Sequence, residues 1–291
     1  MIELDYQDIE QQTPEWLEMR RNKIGASDAI IIMGVSPWKT PNDLFLDKMG
    51  LSPTQYRSPA MQRGIDLESD ARKECEYRLK ENLYPKVVFN KDLPWQMASL
   101  DGISLDGKIL VEIKCPGKSD HECALGGEVP EKYFPQLQHQ MCVCGLDEMY
   151  YFSYFGITAS NALIKVHRDQ EYIDKLTQKE REFWNCMQTF TAPELTPRDY
   201  NVRNDSEWKL TALEMTTVQK FLKEYETRHA QLKEKLIQLA DGKNSVGNGV
   251  KLCKVVKKGT VDYMAIPGVS QHIENYRKSP VEYWKISTEK D

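Results

Sequence analysis

Residues 100–114 read Leu-Asp-Gly-Ile-Ser-Leu-Asp-Gly-Lys-Ile-Leu-Val-Glu-Ile-Lys. Asp-Gly between two apolar runs predicts a β-hairpin with a two-residue turn at Asp106-Gly107. In that register Leu105 faces Lys108 and, counting outward, Asp101 faces Glu112. Directly opposed side chains share a face, with Cβ atoms about 5 Å apart. Strand alternation adds Lys114 to that face and sends Ile109, Val111 and Ile113 to the other. Two opposed carboxylates repel, and a divalent cation between them reverses the sign. Hard oxygen ligands suit magnesium or manganese. An ammonium two residues along can orient a water or steady developing negative charge. The set fits metal-assisted phosphodiester hydrolysis.

The flanking segments supply the frame. Thr13-Pro14 predicts a helix start, with the helix running to about Asn22. Ser27 is expected to cap a second helix, 28–33. Short and long helices follow at 42–49 and 61–80. On the long one Met61, Ile65, Cys75 and Leu79 form an apolar stripe that includes Glu68, a third carboxylate that must be paired, protonated or metal-bound. Strands are expected at 86–90, 95–100, 103–105, 108–114, 149–155 and 163–166, and helices at 130–145 and from an Asp169 cap to about Gln188.

A polar connector, 191–205, sets the expected boundary between a domain 1–195 and an extension 196–291. In the extension Val218, Leu222, Tyr225, His229, Leu232, Leu236 and Leu239 make a heptad seam that needs a partner helix from this chain or another copy. A hairpin is expected from Val250–Val256 and Thr260–Met264 around Lys257-Lys258-Gly259, with a basic run at Lys251, Lys254, Lys257 and Lys258.

The 291 residues, 40% hydrophobic, can build a core, which excludes wholesale disorder. The net charge of −5 excludes a basic nucleic-acid coat but not a DNA enzyme, because local fields matter more than the sum. No apolar run reaches transmembrane length and the first ten residues lack a signal pattern, so a cytoplasmic protein without a membrane partner is expected. The seven cysteines include no Cys-x-x-Cys pair and read as reduced thiols.

Leu100-Asp101-Gly102 followed by Val111-Glu112-Ile113-Lys114-Cys115-Pro116 resembles the core motif of the PD-(D/E)xK nucleases. More narrowly, it is similar to the lambda exonuclease and YqaJ viral recombinase family. Trp16-Leu17-Glu18-Met19-Arg20, Ile24-Gly25-Ala26-Ser27, Arg63-Gly64 with Glu68, and Gly126-Gly127, Tyr133 and Gln136-Leu137-Gln138 resemble further family motifs in the same order, over about residues 10 to 190. The resemblance implies an α/β fold: a restriction-endonuclease-like core with a central mixed sheet flanked by helices, here with a helical and β-hairpin extension. It implies a Mg2+-dependent exonuclease, Mn2+ substituting, that digests double-stranded DNA from 5′ ends. The 3′ single strands left behind would pass to a single-strand annealing partner in phage or prophage recombination within a bacterial host. Glu68, Asp101, Glu112 and the Ile113 carbonyl would hold metal, with Lys114 catalytic and Gln136 near the attacking water. Arg20 and Ser27 would hold the terminal 5′-phosphate. Gly25 departs from the lambda protein's threonine, losing one contact there.

Trp38 and Arg57, in loops, and Gln138 are candidate DNA contacts. His139 reads as a helix-surface residue. The four-cysteine iron–sulfur set of some related nucleases lacks its trailing cysteines here, so no cluster is expected. A homo-oligomer is expected, a ring being one form. Two other readings stand beside the exonuclease: a structure- or sequence-specific endonuclease on the same core, and a non-catalytic DNA-end-binding or assembly protein.

Overall fold

The computed structural model describes residues 5–7, 9, 11–52, 58–257, 259 and 266. A short strand, β1 (Asp5–Gln7), precedes α1 (Pro14–Arg21), where Thr13 Oγ1 accepts the Trp16 N–H and Pro14 takes the first helical position. β2 (Ile24–Gly25) leads directly into α2 (Ala26–Ile32). The cap of α2 is Gly25 and not Ser27, because Asp28 reaches back to the Gly25 N–H at 2.9 Å. Ser27 therefore lies in the first turn, where its hydroxyl is not spent on capping. α3 (Pro41–Lys48) and α4 (Pro59–Leu79) start at Thr40 and Ser58 caps. Met61 is exposed, and the buried stripe of α4 is Ala71 and Cys75, flanked by Leu67 and Leu79. Glu68 thus stands half-exposed at the stripe's edge, not among core neighbours.

The expected strands at 95–100 and 103–105 are one strand. β3 (Tyr84–Phe89) pairs antiparallel with β4 (Gln96–Ile103), which pairs antiparallel with β5 (Leu110–Lys114). The turn between β4 and β5 is longer than two residues. Ser104 N–H bonds Ile109 O at 2.8 Å, Gly107 N–H closes on Ser104 O at 3.0 Å, and Gly107 takes φ +76°. Leu105 and Asp106 are the central pair and Gly107 supplies the left-handed step. The register counted from Asp106-Gly107 survives, since Gly102 pairs Val111.

After β5 come α5 (Lys118–Leu125), a helix unexpected from the sequence, and a 3-10 turn leading into α6 (Phe134–Cys144). β6 (Glu148–Ser153) lies parallel to β5 and antiparallel to β7 (Ala162–His167), and α7 (Gln170–Thr189) starts at its Asp169 cap. The mixed sheet runs β1-β3-β4-β5-β6-β7, with β2 parallel to β4 beside Gln96 and Met97. One face packs Val88, Ala98, Leu100, Leu110 and Tyr151 against Leu137 and Met141 of α6 and Ile30 of α2. The other packs Val111, Ile113 and Phe152 against Ala71 and Cys75 of α4. No helix of the described residues is long and apolar enough to cross a membrane.

The chain divides into two compact units, Met1–Asn201 and Val202–Asp291. The second holds α8 (Ser206–Ala240), 35 residues long, and a hairpin of β8 (Ser245–Gly247) and β9 (Val250–Leu252). The hairpin turns at Asn248-Gly249, both at positive φ. Val250 thus pairs backward with Gly247 across an Asn-Gly turn. Thr260–Met264 and Arg57 lie outside the described residues.

His139 is buried in the core, not on the surface. Its Nδ1 meets Glu180 Oε1 at 2.6 Å and its Nε2 meets Met97 O at 3.0 Å. With Glu180 as a carboxylate both partners are acceptors, an arrangement that favours the imidazolium, whose two ring nitrogens both donate. Gln96 Nε2 donates to the other Glu180 oxygen at 2.6 Å. Burial pulls the His139 pKa down, but the Glu180 charge and these hydrogen bonds outweigh it and hold it above the ordinary value. The pair ties α6 to α7 and β4. A raised folded pKa means that its contribution is complete below the unfolded value of about 6.5 and is lost as pH rises through the folded value. From about pH 6.5 into the alkaline range the melting temperature should therefore fall more steeply for the native chain than for His139→Gln. Equal slopes would place the titrating group elsewhere.

Candidate active site

The strand-pairing pattern delivers Asp101. Lys86 pairs Leu100 but Tyr84 pairs Ile103, so β4 carries one residue more than β3 across this stretch. Asp101 and Gly102 are the bulge. A Cβ on Gly102 would stand 2.9 Å from Leu83 Cβ, so the bulge packs only with glycine there. On the other edge of β4, β2 reaches Met97 and β5 begins at Gly102. Asp101 sits where that edge is open, and its Oδ2 accepts the Ile113 N–H at 2.8 Å. The carboxylate thus approaches β5 through a bulge and a side-chain hydrogen bond, rather than as a plain opposed pair with Glu112.

Glu112 faces α6. Gln136 Nε2 donates to its Oε1 and Gln140 Nε2 to its Oε2, both at 2.5 Å, and Lys114 Nζ lies 2.5 Å from Oε1. Gln136 and Gln140 are one helical turn apart and so present both amides to one carboxylate. Burial, then the charge of Glu112, holds Asp101 well above the usual carboxylate range, against the pull of Lys114 and the Ile113 N–H. Burial depresses Lys114, but Glu112 and Asp101 outweigh it, so the ammonium is kept. Lys114 also lies 5.5 Å from the Tyr133 ring centroid, and burial pushes the Tyr133 hydroxyl up to about 12.

Asp101, Glu112, Lys114 and Gln136 are therefore brought together. Glu68 is held at the edge of the group by Arg72, its Oε1 on Arg72 Nη2 at 2.5 Å while Arg72 Nε donates to the Asp101 carbonyl at 2.9 Å, and its charge adds to the rise in the Asp101 pKa. Among the described residues no three His, Cys, Asp or Glu side chains converge as a metal-binding group. Buried Glu112 and partly exposed Asp101 still suit a hard divalent cation. Burial first, and the charge of Glu112 second, raise the Asp101 pKa, and a cation would offset both.

Arg20 and Ser27 also meet. Arg20 Nη2 donates to Ser27 Oγ, lies 3.6 Å from Asp28 Oδ1, and its guanidinium stacks 5.1 Å from the Trp16 ring. Trp16 Nε1 in turn donates to Ser99 Oγ on β4 at 2.9 Å. Asp28 is neutralised by Lys48, whose Nζ reaches Asp28 Oδ2 at 2.6 Å and the carbonyls of Arg20 and Lys23 at 2.7 Å each. All three ammonium protons are thereby used. Burial opposes the ionised Asp28, but Lys48 and Arg20 outweigh it and lower its pKa. The cluster of two cations and one anion keeps a net positive charge, and Arg20 remains one-third exposed.

Trp38 is exposed and lies under the Lys132 ammonium at 5.0 Å. Lys132 also lies 5.3 Å from Tyr133, which carries Trp38 to the Lys114 side of the site. Gln138 does not fit a DNA contact. It is fully buried, donates to His167 O at 2.9 Å and accepts from Asp169 N at 2.9 Å, so its amide is spent on joining α6 to β7 and α7. Sequence reasoning missed Gln140, Arg72 and the Asp28–Lys48 pair. The i, i+4 spacing of Gln136 and Gln140 was a visible signal; the others rest on partners that the sequence pattern does not reveal.

Residues 15–147 match the YqaJ-like viral recombinase domain. "Uncharacterized protein YqaJ" of Bacillus subtilis strain 168 is 34% identical over 182 residues, 60% of this chain and 56% of that protein. The chain thus spans little more than half of that relative. Among solved structures, an alkaline exonuclease from Laribacter hongkongensis, LHK-Exo, is 25% identical with a TM-score of 0.53, covering 62% of this chain and 94% of that one. The same enzyme in complex with dAMP superposes with a TM-score of 0.54 at 24% identity over the same shares of the two chains. The fold is like that of the phage-exonuclease-type nucleases, a mixed sheet flanked by helices, and residues 15–147 are similar to the YqaJ-like viral recombinase domain.

Proposed function

We propose that this chain is a divalent-metal-dependent nuclease that degrades double-stranded DNA from its 5′ ends. The observation that carries the reading is the convergence on Glu112 of Lys114, Gln136 and Gln140, with Asp101 held beside it on a bulge. The matching domain and the likeness to an alkaline exonuclease support it. Asp101 and Glu112 would hold Mg2+, or Mn2+ in its place, with Glu68 and the Ile113 carbonyl as further oxygen donors. The cation supplies charge neutralisation at the scissile phosphate. The Lys114 ammonium stabilises developing negative charge and orients the attacking water, and Gln136 fixes Glu112 and that water's neighbourhood. Arg20, with Ser27, takes the 5′-phosphate through its exposed fork. Trp38, exposed beside Lys132, would meet the duplex. The 3′ strand exposed would go to a single-strand annealing protein, in the cytoplasm of a phage-infected or lysogenic bacterium.

Digestion of linear and closed circular duplex with Mg2+ tests this. Linear DNA should be consumed and circles spared, and cleavage of circles would favour the endonuclease reading. Asp101→Ala and Glu112→Ala should each lower the rate about 10³-fold or more while DNA binding survives, and Lys114→Ala about 10²-fold with metal affinity kept. Full activity in both carboxylate variants contradicts the assignment.

End preference is a separate test. Arg20→Ala should slow digestion of 5′-phosphorylated ends about tenfold more than of 5′-hydroxyl ends, with only partial rescue by Lys. An equal loss on both ends would make Arg20 a general backbone contact.

A further inference from the structure

The helix α8 carries an apolar seam along its length, and none of its 35 residues is buried. Val218 is 51% exposed, Leu222 58% and Tyr225 70%. Among the described residues nothing buries that seam, and a continuous apolar seam exposed to water marks an interface. We infer that α8 pairs antiparallel with α8 of a second copy of this chain.

The seam alternates steps of three and four residues, which fixes the flanking positions. In a parallel, in-register pair, Arg228 would flank Lys233 of the second copy, twice over, and His229 would face His229. Both contacts set like or potentially like charges together. In the antiparallel pair that overlaps the whole helix, Leu222 faces Tyr225 of the second copy and Met215 faces Leu232. His229 faces Val218. At the flanks Glu214 meets Lys235 of the second copy, again twice by symmetry, and Phe221 meets the stem of Arg228. No like charges oppose one another in that arrangement. Shifting it by one heptad toward the C-terminal half brings Arg228 against Arg228 and Glu226 against Glu226 of the second copy. Shifting it by one heptad the other way sets Glu214 against Arg228 but leaves Leu236 and Leu239 without facing residues, so charge selects the direction and excludes the C-terminal shift, and overlap of the apolar seam selects the register.

Such a pair has a two-fold axis near the helix centre and joins two chains only. It does not build a ring by itself, and it is independent of the nuclease reading.

Sedimentation velocity of the full chain over a range of concentrations reads the association directly. The native chain should dimerise. Glu214→Lys and Lys235→Glu should each raise the dissociation constant roughly tenfold, and the double variant should restore the native value. Leu222→Asp should abolish the dimer. Circular dichroism checks that helix content is otherwise kept in the charge variants, whose composition in the double swap is unchanged. A chain monomeric at all concentrations, an association indifferent to Leu222→Asp, or a double swap weaker than both singles would each overturn the proposal. Association only with a different protein would do the same.

Discussion

The Glu112 carboxylate sits almost wholly out of water on the strand β5, and three donors meet it there: one ammonium and two amides. A buried anion without partners costs several kcal/mol, on the order of a whole domain's margin of stability. Satisfying it fixes where α6 must lie, because Gln136 and Gln140 need one face of that helix turned to β5. The helix is then pinned from behind. Gln138 bonds the end of β7 and the start of α7, and the His139–Glu180 ion pair locks the same helix to α7 and β4. Neighbouring residues of one short helix thus serve the site and the scaffold.

Asp101 completes the site by an irregularity. A regular strand would have carried it past β5 as an ordinary ladder residue. The bulge at Asp101-Gly102 opens the edge of β4, and the freed Ile113 N–H is taken by the carboxylate instead of a carbonyl. The consequence is a buried Glu112 and a partly exposed Asp101 close together, with burial and the Glu112 charge raising the Asp101 pKa. That arrangement is unfavourable for folding and useful for holding a cation, the pattern expected where local rules are broken at a functional site.

Much of this was readable from local signals. Thr13-Pro14 and the Asp169 cap act within one helical turn, so their helices start where the sequence predicts. The hairpin register followed from Asp106-Gly107 even though the turn itself is longer, because the apolar alternation on both strands permits only one pairing. What was not readable depends on distant partners. Ser27 looks like a cap until Asp28 takes that part, and Asp28 does so as the partner of Lys48. His139 looks like a surface residue until Glu180, far along the chain, is known to lie against it. Glu68 seemed to fall on a buried stripe, yet the sheet covers only the middle and C-terminal part of α4, and Arg72 claims the carboxylate. Gly102 was the overlooked clue to the bulge, since glycine inside a strand marks such sites.

The central proposal is that Asp101 and Glu112 together would hold the cation, with the α6 amides keeping Glu112 in place and Lys114 acting on the reaction rather than on the metal. Calorimetric titration of the DNA-free chain with Mn2+ tests it most directly. The native chain should bind Mn2+ more tightly as pH rises and Asp101 loses its proton, and Glu112→Gln and Asp101→Asn should each lose that binding while Gln136→Ala weakens it only in part. Unchanged Mn2+ affinity in both carboxylate variants would contradict the account.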